Sequence, residues 1–459
     1  MRVLFATAEL SPVAAVGGLA QAAAGLVREL RAQGVEVEAV LPDYGAYALA
    51  AEEHLELDVP GWAAPATARR GVHADFGQLT LVTVPGIERP HPYVGLDGEP
   101  WPDNDARFLG FSVAVASLAR ETRPDVVHLN DWHTAAAAAG LAGDAPLVLS
   151  VHNLAYQGRT DPAWIDRLGP GAAVFEHEGD CNPLAGAIAL ADAVVMVSPT
   201  YRDEVLRPES GMGLDDLLRA RGDAVLGILN GIDAEIWDPA RDPYLPAPFA
   251  ADDLDGKPAA RSALLDLVGL PDGPQPVAVS VTRLVAQKGL DLVLPLVPEL
   301  DALGLRLAIL GSGDVALASA LRAAADEHPR SLAFVEGYDE SLSHLLVAGG
   351  DLLLMPSRFE PCGLTQMQAM RYGTLPVVTD VGGLHDTVLD LDEDPDRGTG
   401  WRAERPDVDA LRTAIVRAVR DWSSPGVRRA AQHRGMSIDW SWSRPTAEYL
   451  ALYRRLAAA

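Results

Sequence analysis

The chain has 459 residues, about 48% hydrophobic and 22% charged, with Lys+Arg 37 against Asp+Glu 64 and a formal net charge of −27. So negative a surface repels nucleic acid and anionic lipid, which excludes both as bulk partners but leaves room for a local cationic site that takes an anion. Two cysteines, Cys181 and Cys362, give neither a disulfide framework nor metal-ligand spacing.

The first apolar run, from Arg2, breaks at Glu9 and Pro12, too early for a secretory core, and no run of ~18 apolar residues occurs without a charge. The expectation is a cytoplasmic protein without a membrane segment. At ~150 residues per domain the length predicts two or three domains. Short β-type runs at residues 3–8, 79–84, 125–129, 147–151 and 193–197, and an alternation of apolar residues with Glu36 and Glu38 over 35–41, predict strands, and helical spacing at 19–32, 107–120 and 184–191 predicts helices between them. Residues 238–248 carry Pro239, Pro243, Pro246 and Pro248 and mark the domain boundary. Beyond it, strands are expected at 277–281, 305–310, 332–336, 352–355 and 375–378, with helices at 290–303 and 316–327. The alternation predicts two doubly wound α/β domains in series, facing each other across a cleft.

In open α/β sheets ligands bind beyond the carboxyl ends of the strands, so the residues after each strand are the candidates. Gly17 and Gly18 open the first helix, where backbone approaches a ligand closely and a helix N-terminus favours an anion. They do not form a G-x-G-x-x-G, and Gly311-Ser312-Gly313-Asp314 lacks the Lys-Ser/Thr of a Walker loop. Arg283 and Lys288 place two cations in one strand-to-helix connection, which suits a diphosphate; the alternative is a solvated pair. Glu360 sits at a turn where it could bond sugar hydroxyls, ahead of Gly363 and a helical stretch over 364–372. Nothing in the sequence activates Cys362 as a nucleophile, so it reads as a small buried residue. Asn130-Asp131-Trp132-His133 and His152-Asn153-Leu154-Ala155-Tyr156-Gln157-Gly158 supply polar and aromatic residues at two strand ends, a candidate sugar-facing wall. A His-x-x-x-His zinc helix is absent.

Motif by motif and over the whole chain, the sequence resembles the bacterial glycogen synthase and plant starch synthase family, retaining glucosyltransferases of GT-B fold. The resemblance rests on Val127-His128-Leu129-Asn130-Asp131-Trp132-His133, Ser150-Val151-His152-Asn153-Leu154-Ala155-Tyr156-Gln157-Gly158, Val197-Ser198-Pro199-Thr200-Tyr201 and Gly227-Ile228-Leu229-Asn230-Gly231-Ile232-Asp233. In the second half it rests on Arg283-Leu284-Val285-Ala286-Gln287-Lys288-Gly289-Leu290-Asp291, Ser357-Arg358-Phe359-Glu360-Pro361-Cys362-Gly363-Leu364-Thr365-Gln366, Gly382-Gly383-Leu384 and Asp386-Thr387-Val388.

The resemblance implies an acceptor domain over residues 1–238 and a nucleotide-sugar domain over 239–444, with a final helix at about 445–459 packing back on the first. It implies transfer of glucose from ADP-glucose, less readily UDP-glucose, to an α-1,4-glucan, with no metal or other cofactor. Arg283 and Lys288 would hold the diphosphate, helped by Gly17, Gly18 and the backbone of Cys362, Gly363, Leu364 and Thr365. Tyr338 would lie against the base and Glu360 would position the donor sugar. His152 would sit beside the reacting carbon and Asp131 near the acceptor, on a side shared with Asn153, Tyr156 and Gln157.

Three positions depart from the family pattern: Ala15 and Ala185 stand where it has Lys, and Gln21 where it has Asp. Three readings are open: tolerated drift, a changed donor or acceptor, and an inactive glucan-binding protein. Joint retention of Arg283, Lys288, Glu360, His152 and Asp131 weighs against the last.

Overall fold

The computed structural model describes residues 1–45, 47–95 and 98–458. It forms two compact units, Met1–Gly231 with Trp442–Ala459, and Ile232–Ser441.

The first unit holds β1 (Arg2–Ala6), β2 (Glu36–Pro42), β3 (Ala50–Glu56), β4 (Thr67–His73), β5 (Gly77–Thr83), β6 (Val126–Asn130), β7 (Leu147–Val151), a small hairpin of β8 (Glu176–His177) and β9 (Asp180–Cys181), then β10 (Ala193–Met196) and β11 (Val225–Gly227). Its nine-stranded sheet runs β11-β10-β7-β6-β1-β2-β5-β4-β3. All pairs from β11 to β5 are parallel, and β4 and β3 add an antiparallel edge. Every residue of β6 and β7 is buried, which is why both are mostly apolar, with His128, Asn130 and Ser150 as the polar exceptions: helices cover a parallel sheet on both faces. The edge pair β3 and β4 has no such run. Glu52, Glu53, Arg69 and Arg70 interrupt it, and the sequence gives no strand signal there.

The second unit holds β12 (Val277–Val281), β13 (Arg306–Gly311), β14 (Leu332–Glu336), β15 (Leu352–Met355), β16 (Leu375–Thr379) and β17 (Trp401–Ala403). They form a parallel sheet in the order β14-β13-β12-β15-β16-β17. The helix expected over 290–303 is instead two 3-10 segments, Leu290–Leu292 and Leu294–Glu299, and one turn at Leu300–Leu303. Pro295 and Pro298 are the cause, since each removes a backbone donor and its ring clashes with the preceding turn.

The division between the units falls at Gly231, earlier than the expected residue 238. The Ile232 N–H donates to the Trp440 carbonyl at 2.8 Å, and the Trp237 ring stacks on His344 at 3.9 Å, so the segment before the prolines packs on the second unit. Asp242, inside the proline-rich stretch, accepts from the Tyr372 hydroxyl at 2.6 Å and lies 2.7 Å from His344 Nδ1.

The final helix, Ser443–Ala457, belongs to the first unit; Ala459, at the end of the expected range, lies outside the described residues. Trp442 fills the space over Gly25, where any side chain would collide with the indole. Tyr453 and Tyr449 meet the sheet through His128 and Ser150, with Tyr453 OH 2.6 Å from His128 Nδ1 and Ser150 Oγ 2.7 Å from His128 Nε2. Burial pulls His128 down to about 3, so it is a neutral structural histidine.

In the second unit Lys257 Nζ is buried and donates to Ala348 O, Tyr372 O and Thr374 Oγ1 at 2.8, 2.8 and 2.9 Å. It ties the helix Lys257–Val268 to the segment that follows the helix Thr365–Arg371. Lys257→Met is expected to destabilise this unit by several kcal/mol, at roughly 1–3 kcal/mol for each buried acceptor left bare. A urea unfolding curve with an unchanged midpoint would refute that.

Candidate active site

Each sheet has a point where successive parallel strands switch to the other side of its first strand, and candidate residues follow the strands that flank that switch. In the first unit the order turns between β1 and β6; Glu9 and the Gly17-Gly18 turn follow β1, and Asp131 follows β6. In the second it turns between β12 and β15; Arg283 and Lys288 follow β12, and Glu360 follows β15. Such topological switch points are where open α/β sheets leave a crevice for ligands.

Asp131 is buried and holds φ 56° with ψ −176°, a conformation rare for a residue with a side chain. Its Oδ1 accepts the His152 N–H at 2.7 Å, which couples the end of β6 to the end of β7. Burial pushes its carboxyl up to about 7, against the pull of the His152 and Asn153 N–H groups and with the nearby Glu9 charge adding to the rise.

His152 Nε2 lies 3.0 Å from Asn130 Oδ1, and Asn130 Nδ2 donates to the Ala6 carbonyl at 2.9 Å. The second bond fixes which end of the Asn130 amide faces His152: the oxygen. The His152 proton therefore sits on Nε2, and burial, which pulls the ring down to about 4, keeps it neutral. Asn130 thus orients His152, a role its place in the motif did not reveal.

The Gly17-Gly18 turn is tied to Glu9, whose Oε2 accepts the N–H groups of Val16 and Gly17, both at 2.8 Å. Sequence reading passed over Glu9, since a lone acid after a strand carries no pattern.

Asn153 and Tyr156 lie on the wall after β7, and Tyr156 is exposed. Trp132, Tyr156, Asn104, Asp105 and Arg159 line a pocket of about 450 Å³ there. Gln157 also borders it, but its amide is spent inside the wall: Nε2 donates to the Met212 carbonyl at 3.0 Å and Oε1 accepts from Asn182 Nδ2 at 2.7 Å. Ala185, on the helix capped by Asn182, is 1% exposed and part of the main apolar core. Ala15 and Gln21 are exposed.

In the second unit the two candidate cations differ. Arg283 is exposed and forms no ion pair among the described residues. Lys288 Nζ pairs with Glu360 Oε2 at 2.6 Å, and Ser357 Oγ donates to the same oxygen at 3.0 Å. Glu360 is buried, so this pair holds the turns after β12 and β15 together. Arg358 adds a two-pronged bond to Asp291 at 2.7 and 2.6 Å.

Behind Glu360 the chain turns through Cys362 and Gly363, which has φ 73°. Gln366 Nε2 donates to the carbonyls of Cys362 and Gly363 at 3.1 and 3.0 Å. Leu364 and Thr365 then open the helix Thr365–Arg371. The Gly383 N–H donates to the Glu360 carbonyl at 2.9 Å, and Gly383 lies so close to the Cys362 backbone that no side chain fits. Cys362 is buried in this turn. Tyr338, two residues after β14, is 72% exposed. Among the described residues no group of three or more His, Cys, Asp or Glu could hold a metal ion, and no helix is long and apolar enough to cross a membrane.

Comparison with known proteins matches residues 2–220 to the family described as starch synthase catalytic domain, and residues 268–434 to glycosyl transferases group 1. A glycogen synthase of Halorhodospira halophila is 42% identical over 480 aligned positions, covering 100% of both chains. One of an Anaeromyxobacter species is 43% identical with the same coverage. The solved catalytic domain of starch synthase IV from Arabidopsis thaliana, bound to ADP and acarbose, superposes with a TM-score of 0.90 at 31% identity, over 100% of this chain and 99% of that one. With two doubly wound units whose switch points carry the candidate residues, and with relatives matching from end to end, this chain belongs to the glycogen and starch synthase family of GT-B glycosyltransferases.

Proposed function

We propose that the protein is a glycogen synthase that moves glucose, with retention of configuration, from ADP-glucose to the non-reducing end of an α-1,4-glucan. The observation that carries the reading is the grouping at the two switch points: Asp131, His152 and the glycine turn in one unit, Arg283, Lys288 and Glu360 in the other. ADP bound to the starch synthase IV relative supports the nucleotide.

As the glycosidic bond breaks, negative charge grows on the departing diphosphate. In this reading Arg283, Lys288 and the N–H groups of Gly363, Leu364 and Thr365 face that charge, and the Gly17-Gly18 turn is assigned to the donor as well. No metal cofactor is invoked, because two protein cations supply the stabilisation. Glu360 neutralises part of the Lys288 charge and fixes its ammonium, which leaves Arg283 as the net cation. Tyr338 offers its exposed ring to the base. His152, neutral with its proton on Nε2, presents a dipole to the reacting carbon. Asp131 takes a hydrogen bond from the acceptor sugar, and Asn153, Tyr156 and the Trp132 pocket carry the rest of the chain. Gln157 supports that wall from within.

The departures favour drift. Ala185 is enclosed by apolar neighbours, so the first unit has closed over that position. Ala15→Lys, on an exposed turn, is expected to fold normally and to lower KM for ADP-glucose. Ala185→Lys is expected to destabilise by several kcal/mol, the usual penalty for an ion forced into an apolar core. Melting curves and donor titrations of the two variants check this; a folded Ala185→Lys with improved KM would contradict it. The reaction itself is tested by incubating the protein with maltooligosaccharide and ADP-glucose, without added metal, and following chain length and anomer. Growth by α-1,4-linked glucose supports the reading; glucan binding without growth refutes it.

A further inference from the structure

We propose that Glu9 is the positioning residue of the donor turn, its carboxylate fixing the backbone of Val16 and Gly17; the proposal rests on that turn's assignment to the nucleotide sugar.

Glu9 lies three residues beyond the end of β1, at the switch point of the first sheet, and is only 4% exposed. Its two oxygens are used by different elements. Oε2 accepts both turn N–H groups, and Oε1 accepts the Tyr93 hydroxyl at 2.7 Å. No cation pairs with it among the described residues, so three dipoles alone hold a buried charge. That is an expensive way to fasten a loop, since an uncharged acceptor would avoid the desolvation. In return, hydrogen bonds to an ionised acceptor are shorter and about twice as strong as neutral ones.

The far side of the arrangement is equally fixed. Arg107 is fully buried and donates to the carbonyls of Gly86, Ile87 and Pro92 at 2.9, 3.0 and 3.0 Å. Asn104 Nδ2 donates to the Tyr93 carbonyl at 2.9 Å. A rigid path thus runs from the helix Asn104–Thr122 through Tyr93 and Glu9 to the glycine turn.

The charge of Glu9 also has a consequence that mere fastening would lack. The Asp131 carboxyl accepts the His152 and Asn153 N–H groups and feels the Glu9 carboxylate and the Tyr93 hydroxyl electrostatically. Tyr44 lies beside Glu9, and Arg107 lies near Tyr44, Tyr93 and His133. Removing the Glu9 charge removes one of the forces that keep Asp131 protonated.

Two variants separate the geometry from the charge. Glu9→Ala is expected to raise KM for ADP-glucose by about tenfold or more, with KM for maltooligosaccharide unchanged, because two turn donors lose their acceptor. Glu9→Gln keeps one oxygen for those donors and turns its NH2 toward Tyr93 OH, which can accept. It is expected to restore most of the donor KM while moving the acidic limb of the pH–rate profile to lower pH. If Glu9→Ala does not fold, the pH limb of Glu9→Gln decides. A Glu9→Gln enzyme with an unmoved limb, or a folded Glu9→Ala enzyme with normal donor KM, overturns the proposal. Arg283→Ala run in parallel keeps the two readings apart. If it cripples donor use and Glu9→Ala does not, only the Glu9 proposal fails. If Arg283→Ala leaves donor use intact, the donor reading itself falls.

Discussion

Arg283→Ala is expected to lower kcat/KM for transfer from ADP-glucose by ~100–1000-fold, the effect of removing one preorganised partner of a developing charge, with the melting temperature unchanged. The second half follows from exposure: the Arg283 side chain carries no ion pair among the described residues, so its loss leaves nothing buried without a partner. Lys288→Ala should lose a similar factor in rate and also lose stability. It strips Glu360, 4% exposed, of the cation 2.6 Å away and leaves only the Ser357 hydroxyl on that oxygen. Breaking a buried pair from one side costs about 3–5 kcal/mol; the residual exposure of Lys288 places the expected loss at the lower end. Spacing along the chain treats these two cations as equals; the fold does not. Equal melting temperatures for the two variants would contradict the assignment of the pair.

Asp131→Asn is expected to slow transfer by ~10–100-fold, the worth of a hydrogen bond to an ionised acceptor, yet to stabilise the protein above neutral pH. The folded state holds this carboxyl at about 7, well above its value of 3.8 in the unfolded chain. Between those values the folded state binds more protons than the unfolded one, so the contribution of Asp131 to stability falls as pH rises through 7. Asn replaces the neutral form with nearly the same shape and can still accept the His152 N–H. The variant should therefore match the parent in stability near pH 4 and exceed it at pH 8. Activity of the parent should fall below about pH 7, as the carboxylate is lost. Urea titrations at the two pH values check the first statement; a variant less stable than the parent at pH 8 would refute it.

What could be read in the sequence was whatever lies close along it. β6, β7, β12 and β15 are short, mostly apolar runs because helices bury both faces, and the polar residues just beyond them sit at the carboxyl ends of the strands, where such sheets take ligands. What could not be read depends on partners brought from afar. Lys288 and Glu360 are 72 positions apart, and Glu9 meets Tyr93 84 positions away. Gln157 stands in a motif that promises a sugar-facing amide, yet Asn182 and Met212 consume both ends of it. The stretch 290–303 has helical spacing of its leucines, and Pro295 and Pro298 overrule it. Ala185 sits where a lysine was expected, and only the packing around it shows that the space is closed.

The central claim is transfer of glucose from an adenosine diphosphate donor to an α-glucan through the two switch-point sites. Its most direct test is a donor screen with the purified chain: ADP-, UDP- and GDP-glucose in separate reactions with glycogen, without added metal, scoring both release of nucleoside diphosphate and chain growth. The predicted result is robust growth from ADP-glucose, weaker growth from UDP-glucose, and loss of both in Arg283→Ala. No growth from any of the three donors, with the glucan still bound, would contradict it.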